Sequence, residues 1–268
     1  MKPLSAMPAE VVENIRGVFC DIDDTLTSEG KLTAGSYVAL ERLYLAHKLV
    51  IPITGRPAGW CDHIARMWPV DAVVGENGAF YFHYDIVQKR LAQRFLFDAA
   101  ARAANREKMI AVRERVLREV QGCSLASDQL YREADLAIDF CEDVPRLPGA
   151  EVDRIVSLME EAGMTAKISS IHVNGWFGDY DKLGMTRTLM QERYGVDLAR
   201  DEARYLFVGD SPNDAPMFEF FSNSVGVANV TDFGARLSHA PAYVTKKRSG
   251  EGFIELVDRL LDPRTGMI

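Results

Sequence analysis

A short apolar run, Gly17-Val18-Phe19-Cys20, passes without a break into Asp21-Ile22-Asp23-Asp24-Thr25-Leu26-Thr27. A strand ending in clustered carboxylates must end where they can meet water or a cation. In a parallel sheet that place is the cleft beyond the carboxyl ends of the strands. Side-chain alternation with a local turn can aim Asp21 and Asp23 into one cleft, where two carboxylates repel strongly at low dielectric. One of them is then protonated, or a cation sits between them, or they point apart. A hard divalent cation, Mg2+ above all, suits such oxygen ligands. The plainer reading is a helix-capping Asp with solvated neighbours.

The remaining rhythm agrees with a parallel sheet. Helical spacing of Tyr37, Leu40, Leu43 and Tyr44 predicts a helix over 35–47, then a strand at Leu49–Ile53 and a helix from Pro57 to Met67. A short strand, Ala72–Val74, precedes the turn-rich Gly75-Glu76-Asn77-Gly78. Near the other end come strand Tyr205–Val208, helix Asp214–Phe221, strand Ser224–Val227 and helix Gly252–Leu261. Strand alternating with helix implies an α/β fold, a Rossmann-like parallel sheet covered on both faces. The middle differs. Phe80–His83 and Val87–Leu91 read as a hairpin, Leu136–Phe140 and Ala166–Val173 as strands, and the Met109–Val120 and Val152–Ala162 stripes as helices. The expected organisation is a core of residues 1–82 and 179–268, interrupted by an α+β insert over 83–178.

Composition narrows the function. The chain has 268 residues, and Lys+Arg 31 against Asp+Glu 39 gives 31 − 39 = −8. A global acid excess argues against general nucleic-acid binding but not against a small anion held by local cations. The four cysteines, Cys20, Cys61, Cys123 and Cys141, are scattered without metal-ligand spacing, as expected of free thiols in a reducing compartment. The first twenty residues lack a signal-peptide core, and no window approaches the ~18 apolar residues of a membrane span. A cytoplasmic protein with no membrane partner is expected.

Three further patterns carry chemistry. Gly209-Asp210-Ser211-Pro212-Asn213-Asp214 follows a strand and opens a helix, so Asp210 stands at a sheet end as Asp21 does. Ser211 as a cap and Pro212 at the first position explain the same residues structurally, and capping is compatible with metal binding. In Ile53-Thr54-Gly55-Arg56-Pro57, a hydroxyl, a glycine and a helix start make an anion site, to which Arg56 adds charge unless it is merely a surface residue. Lys182 opens a helix; in an acid-rich cleft it would neutralise charge and hold a phosphoryl oxygen, and elsewhere it would be solvated.

In this order the four patterns resemble the haloacid dehalogenase-like (HAD) hydrolase superfamily: DIDDT, ITGR, Lys182 and GDSPND match its four motifs. An insert of this size between the second and third looks like a C2-type cap. Gly75-Glu76-Asn77-Gly78 looks like the Cof-type branch, and GDSPNDAPMF is similar to the mannosyl-3-phosphoglycerate and sucrose phosphatase branch. Asp24 and Leu183 depart from the commoner glycines. The resemblance implies that Asp21 is a nucleophile forming an aspartyl phosphate and that Asp23 is the general acid, then the general base. Thr54, Gly55, Arg56, Lys182 and Asn213 would bind phosphate or substrate. Mg2+ would be held by Asp21, Asp210 and the backbone carbonyl of Asp23, with Asp214 and Asn213 in support.

The expected activity is Mg2+-dependent hydrolysis of a small phosphorylated metabolite, a sugar phosphate foremost. A phosphomannomutase-like phosphotransferase would share the first motif. A phosphoacceptor signalling module would share the acid pair, Thr, Lys and Mg2+, but has no place for GDSPND or the insert. Lys167, His172 and Asn174 are polar residues on the last insert strands that could meet substrate or simply be exposed. Trp60 and Trp176 are read as packing residues.

Overall fold

The Gly17–Cys20 strand is buried along its whole length and lies inside a parallel sheet. The protein is described by a computed structural model covering residues 1–169 and 171–262. Across this sheet the order is Lys2–Pro3, Tyr243–Val244, Val225–Gly226, Tyr205–Gly209, Gly17–Cys20, Leu49–Pro52, all parallel. From Gly17–Cys20 the chain continues to Leu49–Pro52 on one side, and much later places Tyr205–Gly209 on the other. The order therefore reverses at this strand, which is where open α/β sheets form a crevice.

Alternation along the strands sends side chains to two apolar layers. Val18, Cys20, Val50, Leu206 and Val208 meet Leu40, Leu43, Phe253 and Val257, from helices Ala34–Leu45 and Ser249–Leu261. Phe19, Ile51 and Phe207 meet Met185, Leu189, Met217 and Phe218, from helices Lys182–Tyr194 and Ala215–Phe220. Burial on both faces explains why these strands read as unbroken apolar runs.

Ile53 bridges Val74, which attaches an antiparallel trio, Val73–Gly75, Phe80–Asp85 and Arg90–Phe95, beside the parallel sheet. The hairpin thus pairs with Val73–Gly75. Its second strand starts later than the sequence suggested, because Ile86 and Val87, apolar but exposed, lie in the turn. A separate antiparallel sheet runs Thr165–Ile168, His172–Trp176, Asp135–Asp139, Ser124–Leu125. Helices Ala99–Glu119 and Gly149–Glu161 cover one face through Val112, Val116, Ile155 and Met159 against Leu136, Ile138 and Val173. The opposite face carries Asp135, Asp139, His172 and Asn174, all buried.

Three local readings are corrected. Ala166–Val173 is not one strand: the chain reverses between Ile168 and His172, where the Ser169 N–H donates to the His172 carbonyl at 2.8 Å. The helix after Gly209 begins as a single turn, Pro212–Asp214, before Ala215–Phe220. Pro57 precedes the Ala58–Met67 helix rather than opening it.

Candidate active site

Register sets the site. Cys20 lies opposite Val208, and the Asp21 N–H donates to the Val208 carbonyl at 2.9 Å. Asp21 and Asp210 therefore emerge from neighbouring strands at the same end of the sheet. Helix Lys182–Tyr194, capped by Asp181 accepting from the Gly184 N–H at 2.7 Å, brings its first residue to them. The Lys182 ammonium donates to Asp21 Oδ1 at 2.6 Å and to Asp214 Oδ1 at 2.8 Å. Asp214 Oδ2 accepts from the Asp210 N–H at 3.1 Å.

Carboxylate oxygens of Asp21, Asp210 and Asp214 lie within 4.8 Å of one another, all three buried. Against them stands the single Lys182 charge, so the ionised group would carry −3 + 1 = −2. Burial pushes Asp21 up to about 8, with Asp214 and Asp23 adding to the rise and Lys182 opposing it. Burial, then Asp214 and Asp21, push Asp210 well above the carboxylate range. Burial alone would lower Lys182, but Asp21 and Asp214 outweigh it and raise it. A buried set of hard oxygen donors short of positive charge fits a divalent cation.

The Asp23 carboxylate is not one of this triad and is held by Arg56. It accepts from Arg56 through Nε at 3.1 and 3.0 Å and through Nη2 at 2.8 Å. Arg56 Nη1 lies 3.5 Å from Glu142 and 3.8 Å from Asp128, and the guanidinium stands 4.4 Å over the Trp60 ring. Arg56, read from the sequence as an anion ligand or a surface residue, is buried and committed to carboxylates.

Asp21, Asp23, Gly55, Arg56, Asp210 and Asn213 line one narrow cavity of about 30 Å³. Thr54 stands behind its wall, fully buried, its hydroxyl accepting from the Arg56 N–H at 3.0 Å. Lys182 opens instead onto a neighbouring cavity, which Asn213 shares. Arg132, Ser169, His172 and Asn174 close the first cavity from the second sheet. Asn174 Nδ2 donates to Asp135 Oδ2 at 3.0 Å, and His172 Nε2 lies 2.9 Å from Glu142 Oε2. Lys167 is exposed beside the neighbouring cavity. Trp176 is buried against Tyr180, with ring centroids 5.4 Å apart, whereas Trp60 is exposed.

Asn229 and Asn77 are among the site residues that no motif marks. Asn229 Nδ2 donates to Asp210 Oδ2 at 3.2 Å and to the Asp24 carbonyl at 2.9 Å, from a segment without any motif. Asn77 was noticed only as part of a turn. Its amide Nδ2 is buried with no partner among the described residues, and Asn77 lines both cavities.

No family model matches the chain. It is 26% identical over 252 residues to a phosphoglycolate phosphatase of Methanothrix thermoacetophila, spanning 92% of this chain and 97% of that protein. A HAD/COF-like hydrolase from Plasmodium vivax superposes with a TM-score of 0.68 at 18% identity, over 96% of this chain and 100% of the other. The sucrose-phosphatase of Synechocystis, in complex with sucrose and phosphate, superposes with a TM-score of 0.60 at 16% identity, over 92% and 98%. Among the described residues no helix is long and apolar enough to cross a membrane.

Proposed function

We propose that the chain is a haloacid dehalogenase-like (HAD) hydrolase, a Mg2+-dependent phosphatase of a small phosphorylated metabolite acting in the cytoplasm; its likeness to phosphoglycolate phosphatases and to HAD/COF-like hydrolase structures supports this. One observation carries this reading: Lys182 Nζ bridges Asp21 and Asp214 within hydrogen-bond reach, uniting three remote segments. A phosphate dianion cannot approach clustered carboxylates unless cations offset them, and such clamps are a large part of phosphoryl-transfer catalysis.

Asp21 is the nucleophile. An oxygen of its carboxylate forms a bond to phosphorus as the bond to the leaving oxygen breaks, giving an aspartyl phosphate. Asp23 gives its proton to the leaving oxygen and then takes one from the attacking water. Lys182 offsets charge on Asp21 and on the phosphoryl oxygens. Asn213 and the Gly55 segment hold the phosphoryl group from the cavity wall, and Thr54 shapes that loop from behind. Asp21, Asp210 and Asp214 would hold Mg2+, with the Asp23 carbonyl, and the ion would supply the missing positive charge.

A sugar phosphate remains the reading drawn from the sequence, and phosphoglycolate, the substrate in the name of the Methanothrix relative, is the first compound to compare with it. Free phosphate release from a panel of sugar phosphates, phosphoglycerates and phosphoglycolate tests the activity, and an isomeric product would mark a mutase. Asp21→Asn is expected to abolish turnover with the fold intact by circular dichroism, and excess EDTA to stop the wild type. Near-wild-type rates in either condition would sink the assignment.

A further inference from the structure

Arg56 lines the cavity, yet its guanidinium is held by carboxylates and the Trp60 ring. Three of its hydrogen bonds go to Asp23. Its remaining nitrogen faces Glu142 and Asp128, both carried by the segment that builds the second sheet. Glu142 in turn lies 2.9 Å from His172 Nε2 on the Asp-bearing face of that sheet. Asp128 is held by Arg132, at 3.0 Å through Nε and 3.1 Å through Nη2, and Arg132 Nη1 donates to the Gly55 carbonyl, next to Arg56, at 2.9 Å. A continuous chain of charged contacts thus runs from Asp23 across the interface between the two sheets.

We propose that Arg56 is a positioning residue: it fixes the Asp23 carboxylate, and Glu142 and Asp128 of the insert fix Arg56, so that acid–base chemistry is set up only when the insert sits on the core. The inference rests on the reading of Asp23 as proton donor. Its physical content is directional. A guanidinium fork restrains a carboxylate in two dimensions where an ammonium restrains it at a point. A guanidinium that is itself gripped on its far side cannot swing with the carboxylate. The acid therefore keeps one orientation toward the leaving oxygen while the cavity is closed, and loses it when the insert lifts and removes Glu142 and Asp128. Water-exposed substrate fragments would then meet an enzyme whose proton donor is out of register.

Leaving-group chemistry tests this. p-Nitrophenolate departs without protonation, whereas the alkoxide of 2-phosphoglycolate needs a proton as the bond breaks. The first step is read in single turnover as phosphoenzyme formed from each compound, for wild type, Asp23→Asn, Arg56→Lys and Glu142→Gln with Mg2+ present. General acid catalysis contributes on the order of 10²–10⁴-fold. Asp23→Asn is expected to lose about that much on the alkyl phosphate, and Arg56→Lys about tenfold. Glu142→Gln should lose a few-fold. The Arg56 and Glu142 variants should retain the p-nitrophenyl phosphate rate within about twofold, and their KM for the alkyl phosphate, read in the steady state, should be unchanged. Glu142 is partly exposed and the change is isosteric, so this variant keeps the test open should Arg56→Lys fail to fold. Equal losses on both compounds, or a rise in KM alone, in the Arg56 and Glu142 variants would overturn the positioning role. A flat response in Asp23→Asn would overturn the reading of Asp23 itself.

Discussion

At Lys182 one ammonium is shared by two buried carboxylates, and its replacement by Met would leave Asp21 and Asp214 facing each other without a countercharge. Removing one partner of a buried pair typically costs about 3–5 kcal/mol, because the other charge stays desolvated. Lys182→Met should therefore lower the free energy of unfolding by about that amount in urea titrations, besides ending turnover. An unfolding midpoint equal to that of wild type would mean that Lys182 contributes nothing to this balance. The residue types at this centre were legible because each sits at a strand end or helix start, where acids and lysines are informative. The partners of Arg56 were not. Its contacts with Asp23, Glu142 and Asp128 join positions that no local pattern relates, and the same holds for Asn229.

The turn Glu76–Gly78 is the element on which the two sheets meet. Its residues take φ of 42°, 55° and 108°. A Cβ on Gly78 would lie 2.0 Å from the Asp181 carbonyl oxygen, so only glycine lets the turn approach the start of the Lys182 helix. Gly78→Ala should displace that helix start and lower turnover along with stability, readable as a reduced melting temperature. Glu76 is fully buried and accepts from the N–H groups of Ala58 at 2.9 Å, Glu133 at 2.9 Å and Ala134 at 2.6 Å. Burial and Asp135 raise it from the ordinary 4.5 to about 8, against the pull of Arg132 and of the Glu133 and Ala58 N–H donors. The folded state then keeps a proton that the unfolded chain has released, so stability falls as pH rises through the interval from 4.5 to about 8. Glu76→Gln should flatten that slope in denaturation measured at several pH values; an unchanged slope would exclude Glu76 as its source. Turn chemistry was visible in the Gly and Asn of this element, but not the use of Glu76 by the distant Glu133–Ala134 backbone. The reversal at Ser169 was hidden for another reason. Apolar residues recur on both sides of it, and the Ser169 hydroxyl, accepting from the His172 N–H at 3.0 Å, makes the bend without glycine or proline.

Across the whole molecule, the parallel sheet joins segments far apart in the chain. Gly17–Cys20 needs Tyr205–Gly209 on one side and Leu49–Pro52 on the other, and Lys2–Pro3 pairs with Tyr243–Val244. Strand and helix periodicity predicted this parallel core because burial on two faces leaves a strong signal. Pairs such as Lys2–Pro3 were missed because two residues carry no period. During synthesis on the ribosome, the Gly17–Cys20 strand has only its Leu49–Pro52 neighbour until Gly209 emerges, and throughout that wait a bare apolar edge invites other chains. Nascent chains arrested at Asp201 should accordingly be digested rapidly by protease and recruit chaperones, whereas those extended past Leu261 should resist. Early resistance would mean that the first segment folds without its distant neighbour. Growth of the chain between Pro52 and Tyr205 is thus bounded by the clock of translation as well as by chemistry, since every residue added there lengthens the exposure of an unfinished sheet.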